Sequence, residues 1–304
     1  MSDQQVTIGI PAHNEAANIG LLLSDLHRQK MSAFSLKQII VYADGCTDDT
    51  ARIAAQSYRG KVRVRVGSRR GGIAAGLNYI FRTADTPVLI ILNADIRITD
   101  ARFIENLAQV VASGHDLVSC PALPVPAKGT LEKILWFGHW YKHWVFSRYR
   151  AGQNVYTCYG PARAFSRKFY RSFRLPVSVG EDMYSYLYCR FKELKYLHTP
   201  RTRVYFRLPS NLINYFYQGH RYLNTFTVME KYFPGGFIRA HTGITPELFL
   251  FFFLGGLVGI LRFPFQALLY PGLVIIRRFS RPVNSATADA NLWSMAVSSK
   301  KVHL

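Results

Sequence analysis

Acidic residues are scarce in this sequence. Across 304 residues, 18 Asp and Glu stand against 38 Lys and Arg, giving a formal net charge of +20. That imbalance points to a negative partner, whether phosphate, nucleic acid or an anionic lipid surface. Cysteine is also rare: Cys46, Cys120, Cys158 and Cys189 lie far apart. No CxxC pair or Cys/His spacing accompanies them, which excludes a zinc finger or ribbon, and isolated thiols fit a reducing compartment. The opening MSDQQVTIGIPAHNE lacks the basic stretch, apolar run and small-residue cleavage site of a secretory signal. The bulk of the chain is therefore expected in the cytoplasm. Nor is there a charge-free, proline-free apolar run of the roughly 20 residues that a simple membrane-crossing helix needs.

What is present is enough apolar material for a large core, 49% of residues. One large α/β domain with appended elements is expected. The apolar run VTIGIP at 6–11 ends in proline and is followed by Ile19, Leu22, Leu23 and Leu26 at helical spacing. QIIVY at 38–42 precedes a polar turn and a helix from about Asp49, and VRVRV at 62–66 precedes GSRRGG and the helical AAGLNYIF. PVLIIL at 87–92 is almost continuously apolar, as a strand covered on both faces should be. This alternation predicts a mostly parallel sheet sandwiched by helices, with ligands at the carboxyl ends of its strands.

Two segments point to a membrane. In LEKILWFGHWYKHWVFSRY at 131–149, Trp136, Trp140 and Trp144 recur at four-residue steps on one helical stripe interleaved with basic residues, which suits an interfacial helix; core packing is the competing reading. LFLFFFLGGLVGILRFPFQALLYPGLVII at 248–276 is very apolar but broken by Arg262 and Pro264. A broken or re-entrant helical pair is expected, with one tilted spanning helix as the alternative. Basic residues on both flanks favour both ends on the cytoplasmic face. The division expected is a main domain over 1–230, a membrane-associated segment over 231–281 and a loose tail over 282–304.

The polar residues collect just after the strand ends: His13, Asn14 and Glu15, then Asp44, then Asn93 and Asp95. Acids gathered on one rim repel unless a cation or hydrogen-bond donors compensate. Taken singly, each has a bland reading: Asp44, Asp48 and Asp49 in DGCTDD could be turn and N-cap residues. A second acidic pair, Glu181 and Asp182, opens an apparent helix, EDMYSYLYCRFKEL, where acids would also favour the positive helix end.

Taken in order, IPAHNEAANI, YADGCTDDTA, RRGGIAAGLN, LNADI, VGEDM and QGHRY resemble the motifs of a family 2 glycosyltransferase with the GT-A fold, over about 220 residues. The resemblance implies that Pro11, Ala12, Glu15, Asp44, Arg70, Asn93, Asp95 and Gln218 meet a nucleotide-sugar donor. In the family's Asp-x-Asp pattern the last acid touches a divalent metal, here Asp95 with Mg or Mn, and the first touches the ribose. Asn93 replaces that first acid, which removes a charge. Asp44 as acceptor for a uracil N3–H favours a UDP-sugar. Asp182 corresponds to the base that takes the acceptor hydroxyl proton, next to Glu181, with inversion at the anomeric carbon. Gln218 and Arg221 resemble the Gln-x-x-Arg-Trp signature of members that build polysaccharides or glycolipids, with Tyr222 in place of Trp; Arg221 would stabilise the departing diphosphate.

The function expected is transfer of one sugar to a lipid or lipid-linked acceptor at the cytoplasmic membrane face, with anionic membrane lipids as further partners. A polysaccharide synthase is the first alternative, and a membrane-bound nucleotide-binding protein without chemistry the second. A nucleic-acid partner is not expected, since no nucleic-acid motif accompanies the charge.

Overall fold

In a computed structural model, the structure describes residues 4–58, 60–177, 179–220 and 228–279 together with Val302, residues 217–220 by their backbone alone. Four strands follow the expected pattern: β1 (Gln5–Ala12), β2 (Ser35–Asp44), β3 (Val62–Gly67) and β4 (Val88–Leu92). Between them lie α1 (Ile19–His27), α2 (Thr50–Gln56) and α3 (Gly72–Thr83). These strands pair in parallel in the order β3-β2-β1-β4. The sheet continues through β8 (Ala162–Ser166), β6 (Leu117–Ser119) and β9 (Tyr196–His198). Only β8 runs against the others, antiparallel to both β4 and β6.

Strand β4 shows why the sheet reads as continuously apolar. Val88, Ile90 and Leu92 join one core cluster, with Leu22 and Leu26 of α1 and with Phe103 and Leu107 of α4 (Phe103–Ala112). Leu89 and Ile91 join the other, with Leu77 and Ile80 of α3, Phe169 of α6 (Arg167–Ser172) and Leu187 of α7 (Glu181–Phe191). Successive side chains of a strand point to opposite faces, so a strand covered on both sides has no polar face to show. Each such side chain contributes about 1.5–3 kcal/mol on burial.

A second, three-stranded sheet consists of β5 (Ile96–Arg97), β10 (Val204–Phe206) and β7 (Ala122–Pro124) in the order β5-β10-β7. After it come α8 (Leu212–His220) and α9 (Gly235–Thr242). Phe233 and Ile238 are buried in the same cluster as Tyr184 and Leu187 of α7, so α9 packs on the main body.

The aromatic segment forms α5 (Thr130–Arg148), and the last apolar segment forms α10 (Pro246–Arg262) and α11 (Pro264–Phe279). Thr245 caps α10 by accepting from the Leu248 N–H at 3.2 Å, and Pro246 starts it where no N–H is needed. The expected break falls at Phe263, since Pro264 cannot extend the α10 hydrogen-bond ladder. The tryptophan stripe is half-buried beneath these helices: Trp136 and Trp140 meet Phe263, and Gly255 lies against Trp144. Packing within the protein thus covers part of the stripe. The outer faces of α10 and α11 stay apolar and open, with Phe253, Leu261 and Leu268 at 58%, 85% and 77% exposure. By length and composition the stretch Gly235–Arg262 could cross a membrane, which on its own is a weak indication. Of the tail expected to be loose, only Val302 lies within the described residues; it is buried and its N–H donates to Asn18 Oδ1 at 3.2 Å.

At the far end of the sheet, His198 Nδ1 sits 3.0 Å from Ser119 Oγ, which donates to the Thr157 carbonyl at 2.8 Å. Burial pushes the His198 pKa down from 6.5 to about 4. The folded state therefore favours neutral imidazole, and the unfolded chain protonates first. This contribution to stability is complete above pH 6.5 and is lost as pH falls to about 4. Urea midpoints measured across that range should fall more steeply for the native chain than for His198→Asn; parallel profiles would contradict the assignment.

Candidate functional site

The site assembles from three turns at the carboxyl ends of β1, β2 and β4. After β1, Asn14 adopts φ 52°, and its Oδ1 accepts from the Thr47 N–H at 2.8 Å. Glu15 donates its N–H to Thr50 Oγ1 at 2.7 Å, and its buried carboxylate accepts from Asn18 Nδ2 at 3.0 Å. Asp48 accepts from the Ala16 and Thr50 amides at 3.1 and 3.0 Å. Of the acids in DGCTDD, Asp48 is therefore the one that builds the turn, locking the first two loops together.

Asp44 has a different task. It is 5% exposed, and its two oxygens accept from the Gly71 and Gly72 amides at 2.7 and 2.8 Å. These amides open α3, where the helix dipole favours a carboxylate. The RRGG turn thereby folds over Asp44. Gly45, at φ 54°, must be glycine here, because a Cβ would lie 2.5 Å from the Arg70 backbone nitrogen. Two motifs read separately along the chain, DG and RRGG, are thus one structural unit, and it sets Arg70 beside the β2 end. Pro11 and Ala12 close β1 next door, paired with Tyr42 and Ala43.

Asn93, Ala94 and Asp95 form the turn between β4 and β5. Behind Asp95, β5 is clamped from α1. The Asp25 side chain is fully buried and accepts from Arg97 Nε at 2.7 Å, Arg97 Nη2 at 3.1 Å and the Ile98 N–H at 3.0 Å. Holding residues 97 and 98 limits how far the Asp95 turn can shift.

The second acidic station is joined to the first through the reversed strand. Leu92 pairs with Ala162, and one step on the Asn93 N–H donates to the Pro161 carbonyl at 2.9 Å. The neighbouring Gly160 packs directly on the pair: a Cβ there would meet Glu181 Oε1 at 2.7 Å and Asp182 Cβ at 3.9 Å. A side chain at 160 would have to displace the Glu181 carboxylate. Glu181 and Asp182 occupy the first turn of α7, and Asp182 Oδ1 accepts from the Met183 N–H at 2.7 Å. The Gly160–Pro161 loop thus touches the turn of Asn93 on one side and the start of α7 on the other.

Sequence reasoning missed Arg163. On β8 it is 1% exposed and donates through Nη1 to the Glu181 carbonyl at 2.8 Å and Ser185 Oγ at 2.9 Å, with Nη2 4.0 Å from Glu181 Oε1. Its guanidinium fixes the α7 start and offsets charge beside the acids. The available signal was a lone arginine in the otherwise small and apolar strand ARAFS. Of the remaining expected residues, Gln218 lies on α8 with only its backbone described, and Arg221 lies outside the described residues.

The donor set around Asp95 can be tested for a metal. Among the described residues, no group of three His, Cys, Asp or Glu could close a coordination shell. A single carboxylate fits a hard divalent cation that draws its other ligands from phosphate and water, as Mg and Mn commonly do, and does not fit a closed structural site. For the arginine, replacing Arg163 with Met should strand its hydrogen-bond partners and cost about 1–3 kcal/mol. Urea unfolding checks this, with Arg163→Lys recovering only part because it lacks the planar fork; an unchanged midpoint for Arg163→Met would remove Arg163 from this role.

Comparison with known proteins agrees with the fold. No curated protein matches the sequence. Among solved structures, a mannosyltransferase from Pyrobaculum calidifontis in complex with GDP-Man and Mn2+ superposes with a TM-score of 0.55 at 16% identity, covering 91% of this chain and 88% of that one. Glucosyl-3-phosphoglycerate synthase from Mycobacterium tuberculosis, in complex with Mn2+, UDP and glucosyl-3-phosphoglycerate, gives 0.54 at 17% identity over 75% of this chain and 79% of its own. S. aureus TarS 1-349 in complex with UDP gives 0.51 at 16% identity over 90% and 87%. Identities this low speak for the fold. The family profile of Glycosyl transferase family 2 matches residues 7–173, more than half of the chain, and the protein belongs to that family.

Proposed function

We propose that the protein is an inverting glycosyltransferase that moves a sugar from a UDP-sugar to a lipid or lipid-linked acceptor at the cytoplasmic face of a membrane. The observation that carries the reading is the Gly160–Pro161 loop, which touches the turn of Asn93 on one side and Glu181 and Asp182 on the other. A donor held at the first station therefore has a carboxylate within one loop's width of its sugar.

In this reading Pro11, Ala12 and Glu15 receive the nucleoside. Asp44 keeps the lone pairs not used by Gly71 and Gly72 for a uracil N3–H. Arg70, at the same turn, meets phosphate by charge-assisted hydrogen bonds. Asn93 hydrogen-bonds the ribose, and Asp95 holds Mg or Mn. When bound, that ion neutralises charge on the departing diphosphate. Gln218 and Arg221 are assigned to the diphosphate side. Asp182 takes the proton of the acceptor hydroxyl as its oxygen attacks the anomeric carbon from the face opposite the leaving group. Glu181, steadied by Arg163, positions Asp182 rather than taking the proton.

The lipid acceptor is supported by the outer faces of α10 and α11, where exposed Phe, Leu and Ile form a surface too apolar for water. Exposed apolar area of this kind, flanked by Arg277 and Arg278, suits a bilayer with anionic headgroups. Asp182→Asn should lower transfer about 100- to 10,000-fold while UDP binding by calorimetry is retained. Asp95→Ala should weaken Mn-dependent UDP binding. Loss of UDP binding in the first variant together with unimpaired transfer in the second would reverse the roles.

A further inference from the structure

A cavity of about 410 Å3 opens on the side of the protein where α5 meets α11 and the small sheet. Its walls are Pro124 and Pro126 from β7 and the following turn, Trp136 and Phe137 of α5, and Phe263 at the α10–α11 break. The volume falls within the roughly 300–1,000 Å3 of ligand sites, and such sites combine apolar walls with a few placed polar groups. Here the polar groups are Lys133, Tyr205 and Gln266.

The charges at its mouth are unbalanced. Glu132 is the neighbouring acid, and it is already engaged: it accepts from the Lys128 N–H at 2.6 Å and lies 3.5 Å from Arg207. Lys133 is exposed and takes part in none of the ion pairs among the described residues. An apolar cavity with an ammonium at its rim is complementary to a hydrocarbon chain that ends in phosphate. Gln266 lies on α11 between exposed Phe265 and Leu268, so apolar surface adjoins the cavity along the chain.

Its place relative to the proposed chemistry is given by the small sheet. Tyr205 in the cavity pairs with Arg97, and Phe206 with Ile96, the residue that directly follows Asp95. The cavity wall and the turn of Asp95 therefore belong to adjacent strands.

We infer that this cavity holds the phosphate-proximal part of the acceptor lipid, its chain against Trp136, Phe137 and Phe263 and its phosphate at Lys133. The inference rests on the lipid-acceptor reading above and adds the site and the anionic headgroup. Lys133 and Gln266 then act in acceptor recognition, remote from donor binding.

The test uses the full chain in mixed micelles with two photoreactive probes, a long-chain alkyl phosphate and the matching alkyl alcohol, and mass spectrometry of the crosslinked peptides. The phosphate probe should label the cavity segments around 124–137 and 263–266. Ala127→Trp, which fills the cavity, should abolish that labelling. Lys133→Gln should weaken the phosphate probe about tenfold or more, as expected for a lost charged hydrogen bond, and leave the alcohol probe unchanged. In the transfer assay with membrane lipid extract, both variants should raise the KM for acceptor with UDP binding unaltered. Labelling that ignores Ala127→Trp overturns the inference. So does labelling competed by phosphatidylglycerol vesicles while transfer by Ala127→Trp stays normal, because the occupant is then a bulk membrane lipid. If the native chain transfers no sugar to any lipid while the cavity still labels, it is the acceptor reading that fails, and the two outcomes are distinct.

Discussion

One backbone hydrogen bond, from the Asn93 N–H to the Pro161 carbonyl, extends the antiparallel pairing of β4 with β8 and sets the loop that packs on Glu181 and Asp182 beside the turn after β4. A wholly parallel sheet would send the chain back through a crossover and leave β8 pointing the other way. Because β8 runs antiparallel to β4, the residues that precede it, Gly160 and Pro161, arrive at the end where β4 stops. Glu181 and Asp182 then pack on Gly160. Gathering acids at one place costs free energy in any protein. Here the compensation is visible: helix-start amides for Asp44 and the Arg163 guanidinium beside Glu181. The basic surplus of the sequence is partly spent inside the molecule.

The parallel half of the fold was legible in the sequence because its strands are long and its helices carry apolar residues at clear spacing. Ile19, Leu22, Leu23 and Leu26 are all buried on α1 as their period implies. Strands of two or three residues, such as β5, β7 and β10, have no period to read, so the small sheet was invisible although it joins the Asp95 turn to the α5 side of the protein. The packing of α9 on the main body left little trace in the sequence, because Ile238 is its one buried residue and the rest reads as a polar connector. The tryptophans of α5 show a different limit. Spacing placed them on one stripe, but whether lipid or another helix covers a stripe depends on distant residues, here Gly255 and Phe263.

The candidate residues were named from motifs, and the groups they hydrogen-bond could not be read that way. Asp44 was expected as a ligand group; in the structure its two oxygens hold the start of α3, which ties the end of β2 to the RRGG turn. Arg163 escaped notice because a buried arginine acts through a carbonyl, that of Glu181, and backbone partners leave no trace in sequence spacing. Next to the small sheet, α5 serves two surfaces. Its tryptophans and Phe137 receive α10 and α11, while His139 faces Phe206 of the small sheet, so the apolar helices are seated on the same body that carries the acids.

The central claim is that Asp95 and Asp182 serve one bound donor from opposite sides. Crystals grown with UDP and Mn, measured at a wavelength where Mn scatters anomalously, test it directly. The account predicts an anomalous peak in coordination range of an Asp95 oxygen, about 2.1 Å for a hard divalent cation, bridged to the diphosphate, with the Asp182 carboxylate across the space where the sugar sits. A Mn peak away from Asp95, or a diphosphate in a cavity that Asp182 does not border, would contradict it.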